Sequence, residues 1–352
     1  MHLRPFGSRA MAVSAASLLL ATAFTTSAQQ HDVVPPGTTA TPVEPTVAEP
    51  AAPATPAATA EADAVNKAQS GGDANATLRA QILMDRAHFS SGEIDGRGGS
   101  NTRRAISGFQ AANGLPVTGT LDDATWAALG KDAQPALISY TLTDADVAGP
   151  FEPIPSDMME KAKLSALGYT SVQEELGEKF HASPALLQKL NAGKAFAAGD
   201  SIVVPNVTGT SEGLAKAAKV VVDKSDATVS LVDAAGKTYA QFPATMGSVH
   251  DPLPIGDWKI QGVANNPSFH YNPALFWDAD PTHSKATIAP GPNNPVGVVW
   301  IDLSKDHYGI HGTPEPSKIG KTESHGCIRL TNWDALTLSH AVGPGTPAVL
   351  QD

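Results

Sequence analysis

Tyr308-Gly-Ile-His-Gly-Thr-Pro314 and, a short loop later, Glu323-Ser-His-Gly-Cys-Ile-Arg329 carry the decisive reading of this chain. The first run reads as a strand over 307–311 that ends on a histidine. The second places Cys327, the one cysteine among 352 residues, directly after a glycine. A lone cysteine has no disulfide partner within its chain, which points instead to a reactive thiol. A thiol of ordinary pKa, ~8.5, is mostly protonated at neutral pH. An imidazole, with a pKa near ~6.5, can take its proton and leave an ion pair that keeps the sulfur nucleophilic. His311 and His325 are the two candidate bases. Such a pair predicts alkylation of Cys327 by iodoacetamide well below pH ~8.5. Gly326 allows close backbone approach, so the N–H groups of Gly326 and Cys327 are candidate oxyanion donors. A carbonyl near Gly312 can fix the His311 tautomer, and Arg329 adds a cation suited to a substrate carboxylate. A zinc site would need a fourth ligand and a finger-like spacing; neither is present, so no metal is expected.

Working outward, residues 217–351 read as one β-rich core. Short apolar runs at 220–222, 229–232, 238–242, 258–262, 296–303 and 348–350 are punctuated by Pro and Gly. Asp233-Ala-Ala-Gly236 is a hairpin signal, and only 333–340 reads as a helix there. Residues 264–294, aromatic and rich in Pro and Asn, read as a long loop or lid over a site.

Upstream, Arg4 and Arg9 precede a short apolar stretch and Thr26-Ser-Ala28, which reads as an export signal over 1–28. Residues 29–75 are Pro, Ala and Thr rich and read as a disordered or extended tether. Leu78, Ile82 and Leu83, then Ile106 and Phe109, then Trp126 and Leu129 mark three short helices over 76–131. Ser100 or Asn101 is the expected cap of the second. Residues 154–207 read as a small α/β unit, with Ser171 and Ser183-Pro184 opening two helices and a strand at 201–205. The formal charge of −11 argues against a nucleic-acid partner. No later segment is long and apolar enough to span a membrane once the signal is removed.

Three resemblances add to this reading. His311-Gly-Thr, Ile319-Gly320, Ser324-His-Gly-Cys-Ile-Arg-Leu330 and Asn332, with Pro254-Ile-Gly256 and Gly291-Pro-Asn-Asn-Pro-Val-Gly297, resemble the L,D-transpeptidase (YkuD-type) catalytic domain over roughly 217–351. Asp95-Gly96, Thr102, Ala105-Ile106, Phe109-Gln110, Gly114-Leu115 and Gly119 resemble a peptidoglycan-binding module. Residues 175–205 resemble a glycan-binding LysM module, except that 164–169 lacks the usual first strand. The resemblance implies a multidomain protein whose mainly-β catalytic domain is a YkuD-like β-sandwich with a short helix. A three-helix bundle and a LysM-like unit would precede it. It implies Cys327 as nucleophile, His311 as proton donor and acceptor, and Gly312, Ser324, His325 and Gly326 as oxyanion and substrate wall. Arg329 would bind substrate, and no cofactor is implied. The substrates would be peptidoglycan stem peptides and glycan strands. The thiolate would attack the third-residue carbonyl of a tetrapeptide, release D-alanine, and pass the acyl group to an amine. That amine belongs to a second stem or an anchored outer-membrane protein. Hydrolysis by an L,D-carboxypeptidase or amidase, and a non-catalytic wall-binding scaffold, are the alternatives. The location implied is periplasmic or cell-wall associated.

Overall fold

The computed structural model describes residues 59–207, 209 and 214–352, so the export signal over 1–28 and the tether up to residue 58 lie outside the described residues. Thr59 caps α1 (Ala60–Lys67) by accepting the Ala62 N–H. This helix overturns the tether reading for residues 59–75. Ala62 and Val65 are fully buried in a core with Leu137, Leu176 and Leu187. The Asn66 side chain also exchanges two hydrogen bonds with the Leu137 backbone, at 3.0 and 2.8 Å.

Helices α2 (Ala74–Arg86), α3 (Ser100–Ala112) and α4 (Asp123–Leu129) close around Leu83, Ile106, Phe109 and Trp126. The α3 cap is Gly99, without a side-chain bond, rather than Ser100 or Asn101. Asn101 instead donates to the Ile319 carbonyl at 2.8 Å, reaching the loop that precedes the cysteine.

Next come β1 (Leu137–Thr141), the short α5 (Met158–Lys161), α6 (Val172–Lys179), α7 (Pro184–Leu190) and β2 (Ser201–Pro205). Ser171 and Ser183 cap α6 and α7, and Pro184 occupies the first turn of α7, where its missing N–H costs nothing. β1 pairs antiparallel with β2, Leu137 opposite Pro205. No strand lies in 164–169; β1 supplies the partner of β2, and the unit reaches back beyond residue 154. An excursion over 142–171 separates β1 from α6 and hides the pairing from any local reading.

The remaining chain forms β3 (Lys219–Asp223), β4 (Thr228–Val232), β5 (Thr238–Pro243), β6 (Thr245–Met246), β7 (Gly256–Asn265), β8 (Phe269–Tyr271), β9 (Ala286–Ile288), β10 (Val299–Leu303), β11 (Gly309–His311), β12 (Ile328–Arg329), α8 (Asn332–Ala341) and β13 (Pro347–Gln351). Nine of these strands hydrogen-bond in the order β5-β4-β3-β13-β7-β10-β11-β12-β6. The long β7 pairs with β13 through its first part and with β10 beyond it, joining the two halves of the sheet. Val220, Val222, Leu231 and Phe242 of one half share a core with Ile260, Ile301, Ile310 and Ile328 of the other, beneath Ala335 and Leu338 of α8. Each fully buried Val, Leu or Ile contributes roughly 1.5–3 kcal/mol. β8 and β9 form a separate hairpin within 264–294.

The helical units dock on this sheet. Gln241 of the edge strand β5 donates to His88 O at 2.8 Å and accepts from Ser90 N–H at 2.9 Å, which covers an otherwise open edge. At α8, Trp333 stacks on His181 with centroids 5.2 Å apart, and His181 pairs with Asp85 at 3.0 Å. Ser90 Oγ donates to Asp334 at 3.0 Å. Burial, then the nearby Asp85, pushes the Asp334 carboxyl up to about 7. A carboxyl raised above its unfolded value of ~3.9 favours the fold at low pH and loses that contribution as pH rises through the folded value. Asp334→Asn is therefore expected to raise Tm more at pH 8 than at pH 5. Thermal melts at the two pH values check this, and equal shifts would contradict the assignment.

Candidate active site

Strands β11 and β12 run parallel, with Ile310 opposite Ile328 and His311 opposite Arg329. Continuing that register sets Gly309 opposite Cys327. Side chains alternate across a strand, so Ile310 and Ile328 enter the core, both fully buried. His311, Cys327 and Arg329 consequently share the other face.

His311 is buried and stacks on Trp300, its partner on β10, with centroids 5.5 Å apart and planes 19° from parallel. Its Nδ1–H donates to Gly312 O at 2.7 Å, which leaves the lone pair on Nε2. Burial, and next the Arg329 guanidinium, lowers the imidazole pKa to about 3. Cys327 is half-buried, and its thiol points to His307 O at 3.7 Å. Burial pushes the thiol up, against the opposing pull of the Gly309 N–H and Arg329. Burial penalises the charged form of both groups. Both shifts favour the neutral thiol and the neutral imidazole, against the ion pair expected from the sequence.

Three of the four residues expected to form the oxyanion wall are committed elsewhere. Gly312 donates its N–H to Val299 O at 3.2 Å, and a Cβ there would meet Asn332 Oδ1 at 2.2 Å. Ser324 is buried; its Oγ donates to Cys327 O at 2.6 Å and accepts the Gly247 N–H at 2.8 Å. The Ser324 N–H donates back to Gly247 O at 3.1 Å, so this serine braces the cysteine loop. His325 pairs through Nε2 with Asp278 of the lid at 2.8 Å, and packs edge-on to Phe276. Gly326 is different. It stands at φ +95°, and a Cβ would lie 2.7 Å from the Tyr308 ring. Among the described residues the N–H groups of Gly326 and Cys327 have no protein acceptor.

Arg329 is half-buried, and no carboxylate among the described residues lies within ion-pair distance of it. Glu315, the nearest acid in its surroundings by charge, pairs with Lys318 at 2.5 Å. Asn332 ties the site together: Oδ1 accepts the Val298 N–H at 3.2 Å, while Nδ2 donates to Pro292 O and to Glu178 at 3.1 and 3.0 Å. The lid is held from outside by the 142–171 excursion. Leu167 exchanges backbone bonds with Pro290 and Asn293 at 2.9 and 3.1 Å, and Asp157 pairs with His283 at 2.9 Å. Sequence reasoning gave no role to Asp278, Trp300 or Tyr308; Trp300 and Tyr308 lay on expected strands, whereas Asp278 had no local signal. No group of metal-ligating side chains occurs among the described residues.

A family model of the L,D-transpeptidase catalytic domain matches residues 217–350, and one described as "Putative peptidoglycan binding domain" matches 74–129. The "Putative L,D-transpeptidase YkuD" of Bacillus subtilis is 33% identical over 165 residues, covering 46% of this chain and 82% of that protein. Its Bacillus licheniformis counterpart is 56% identical over 57 residues, covering 16% of this chain and 34% of that protein. Among solved structures, L,D-transpeptidase 3 of Mycobacterium tuberculosis shares 19% identity over 38% of this chain and 59% of that one, with a TM-score of 0.31. The identity with the Bacillus subtilis protein across most of its length, together with the catalytic-domain match, shows that this chain belongs to the YkuD family of L,D-transpeptidases.

Proposed function

We propose that this chain is a cysteine-dependent peptidoglycan L,D-transpeptidase. The observation that carries the reading is the common face of β11 and β12, where a base with a free Nε2, a thiol and an unpaired guanidinium stand together. Arg329 holds a carboxylate of the donor stem. His311 Nε2 takes the thiol proton as Cys327 attacks the third-residue carbonyl, so charge develops only as the bond forms. The Gly326 and Cys327 N–H groups receive the oxyanion. His311 then protonates the departing D-alanine amine, leaving a thioester for an incoming amine. The helical domain, and the LysM-like unit in which the paired β1 and β2 flank α6 and α7, support a role in holding the wall glycan. Export to the periplasm or cell wall completes the proposal.

The test is product analysis with a diaminopimelate-containing tetrapeptide, with and without an acceptor amine. D-alanine release that falls sharply without the acceptor, with a cross-linked product when it is present, is expected. Release that ignores the acceptor would assign a carboxypeptidase. No release, with retention on purified sacculi, would assign a binding scaffold.

A further inference from the structure

Transfer needs a second substrate, a primary amine that arrives from water as an ammonium ion, and no group of the site described above receives a cation. The loop between β6 and β7 holds a carboxylate suited to it. Gly247, at φ +58°, turns that loop back on itself; a Cβ there would meet Leu253 N at 2.6 Å. Ser248 N–H donates to Asp251 O at 2.8 Å, and Asp251 N–H to Ser248 Oγ at 2.9 Å, which fixes Asp251 within the turn. The paired bonds between Gly247 and Ser324 sew the loop to the one that carries Cys327. On its rim His250 stacks on Trp277 of the lid, with centroids 4.4 Å apart.

Within this enclosure Asp251 Oδ2 is buried and has no hydrogen-bond partner among the described residues. β12 pairs antiparallel with β6, Ile328 opposite Met246, and continuing that register sets Gly247, at the start of the Asp251 turn, opposite Cys327. The Tyr308 ring covers Gly326, and its phenol is held up by burial and by the charges of Cys327 and Asp251. A buried carboxylate oxygen without a donor costs free energy in the free enzyme, and an arriving cation recovers it. Along the chain, Gly326 under Tyr308 precedes Cys327 and Arg329 follows it.

We propose that Asp251 seats the ammonium group of the acyl acceptor beside the Cys327 thioester and so favours aminolysis over hydrolysis. The inference rests on the transpeptidase reading above. The acceptor pairs with Asp251 as R–NH3+, gives one proton to solvent, and attacks the thioester carbonyl as the free amine. The C–N bond forms and the C–S bond breaks, with sulfur leaving as thiolate. The second nitrogen proton passes through His311 to sulfur and restores the thiol.

The experiment sets two nucleophiles in competition for the enzyme acylated by a diaminopimelate-containing tetrapeptide. One is a diaminopimelate-containing tripeptide, cationic at pH 7; the other is hydroxylamine, neutral at pH 7. Asp251→Asn and Asp251→Ala are expected to lower the ratio of peptide amide to hydroxamate by about tenfold or more. Hydroxamate formed by the variants reports a folded, acylated enzyme. An unchanged ratio, or equal loss of both products, would give Asp251 a purely structural role and overturn the assignment. Failure of the wild-type chain to form either product would remove the transpeptidase reading itself.

Discussion

Cys327→Ala is expected to abolish the mass increase that the intact protein acquires on incubation with a carbapenem. The physical case is the absence of any substitute. Cys327 is the one thiol in the chain, and His311, the base on its face, keeps its Nε2 lone pair free because Nδ1–H is bonded to Gly312 O. Ser324, the nearest hydroxyl in sequence, has its oxygen bonded to Cys327 O and Gly247 N–H, so it cannot take over as nucleophile. Intact-protein mass spectrometry decides the matter, and an adduct of undiminished yield on the alanine variant would end the thiol mechanism.

His311→Gln is expected to slow that acylation by roughly 10²–10⁴-fold, the usual contribution of a positioned general base. Glutamine keeps a polar side chain but cannot accept a proton at this pH. The pH dependence is the sharper prediction, and its sign follows from burial. Since the imidazole is lowered to about 3, it remains an unprotonated base well below the ordinary histidine range. The wild-type acylation rate should therefore not fall through pH ~6.5 as it would for a solvent-exposed histidine. Burial acts on the thiol in the opposite direction, so simple alkylation by iodoacetamide, which needs the thiolate, should be slow at neutral pH and climb only on the alkaline side. Rates of carbapenem acylation and iodoacetamide alkylation, measured across pH 4–10 in parallel, test the neutral pair. Alkylation that stays fast at pH ~6 would restore the ion pair.

That last point shows where the sequence was sufficient and where it was not. The grouping of His311, Cys327 and Arg329 was legible because residue type and short-range spacing carry it, and the β11–β12 register sets the three on one face. The charge state of the pair was not, because it depends on Trp300 lying over the imidazole and on how little water reaches either group. The strands at 220–222, 229–232 and 348–350 were legible from apolar runs between turn signals. β1 was not: Leu137-Ile-Ser-Tyr-Thr141 finds its partner only across more than half of the helical region, at Ser201–Pro205. Composition also misled. Ala and Thr around residues 59–68 read as tether, yet Thr59 supplies a cap and Val65 a buried contact, two features too sparse to dominate an average. The roles of Gly312 and Ser324 turned on the direction of single N–H and O–H groups, which no spacing rule specifies.

The excursion over 142–171 has a consequence for how this enzyme can be cut and rebuilt. The lid belongs by sequence to the catalytic domain, but part of its outer wall belongs to the unit that precedes it, through Asp157, Leu167 and the cluster around Tyr271 and Ile288. Glu178 on Asn332 adds a second seam. The modules are therefore not interchangeable beads on a string. A chimera joined at residue 217 would inherit the nucleophile, the base and the cation, but receive a roof with one wall missing. The natural cutting point lies upstream of α1, because α1 packs on β1 and Ser90 and Asn101 tie the helices to the catalytic domain, so that the catalyst and its clamp travel as one part.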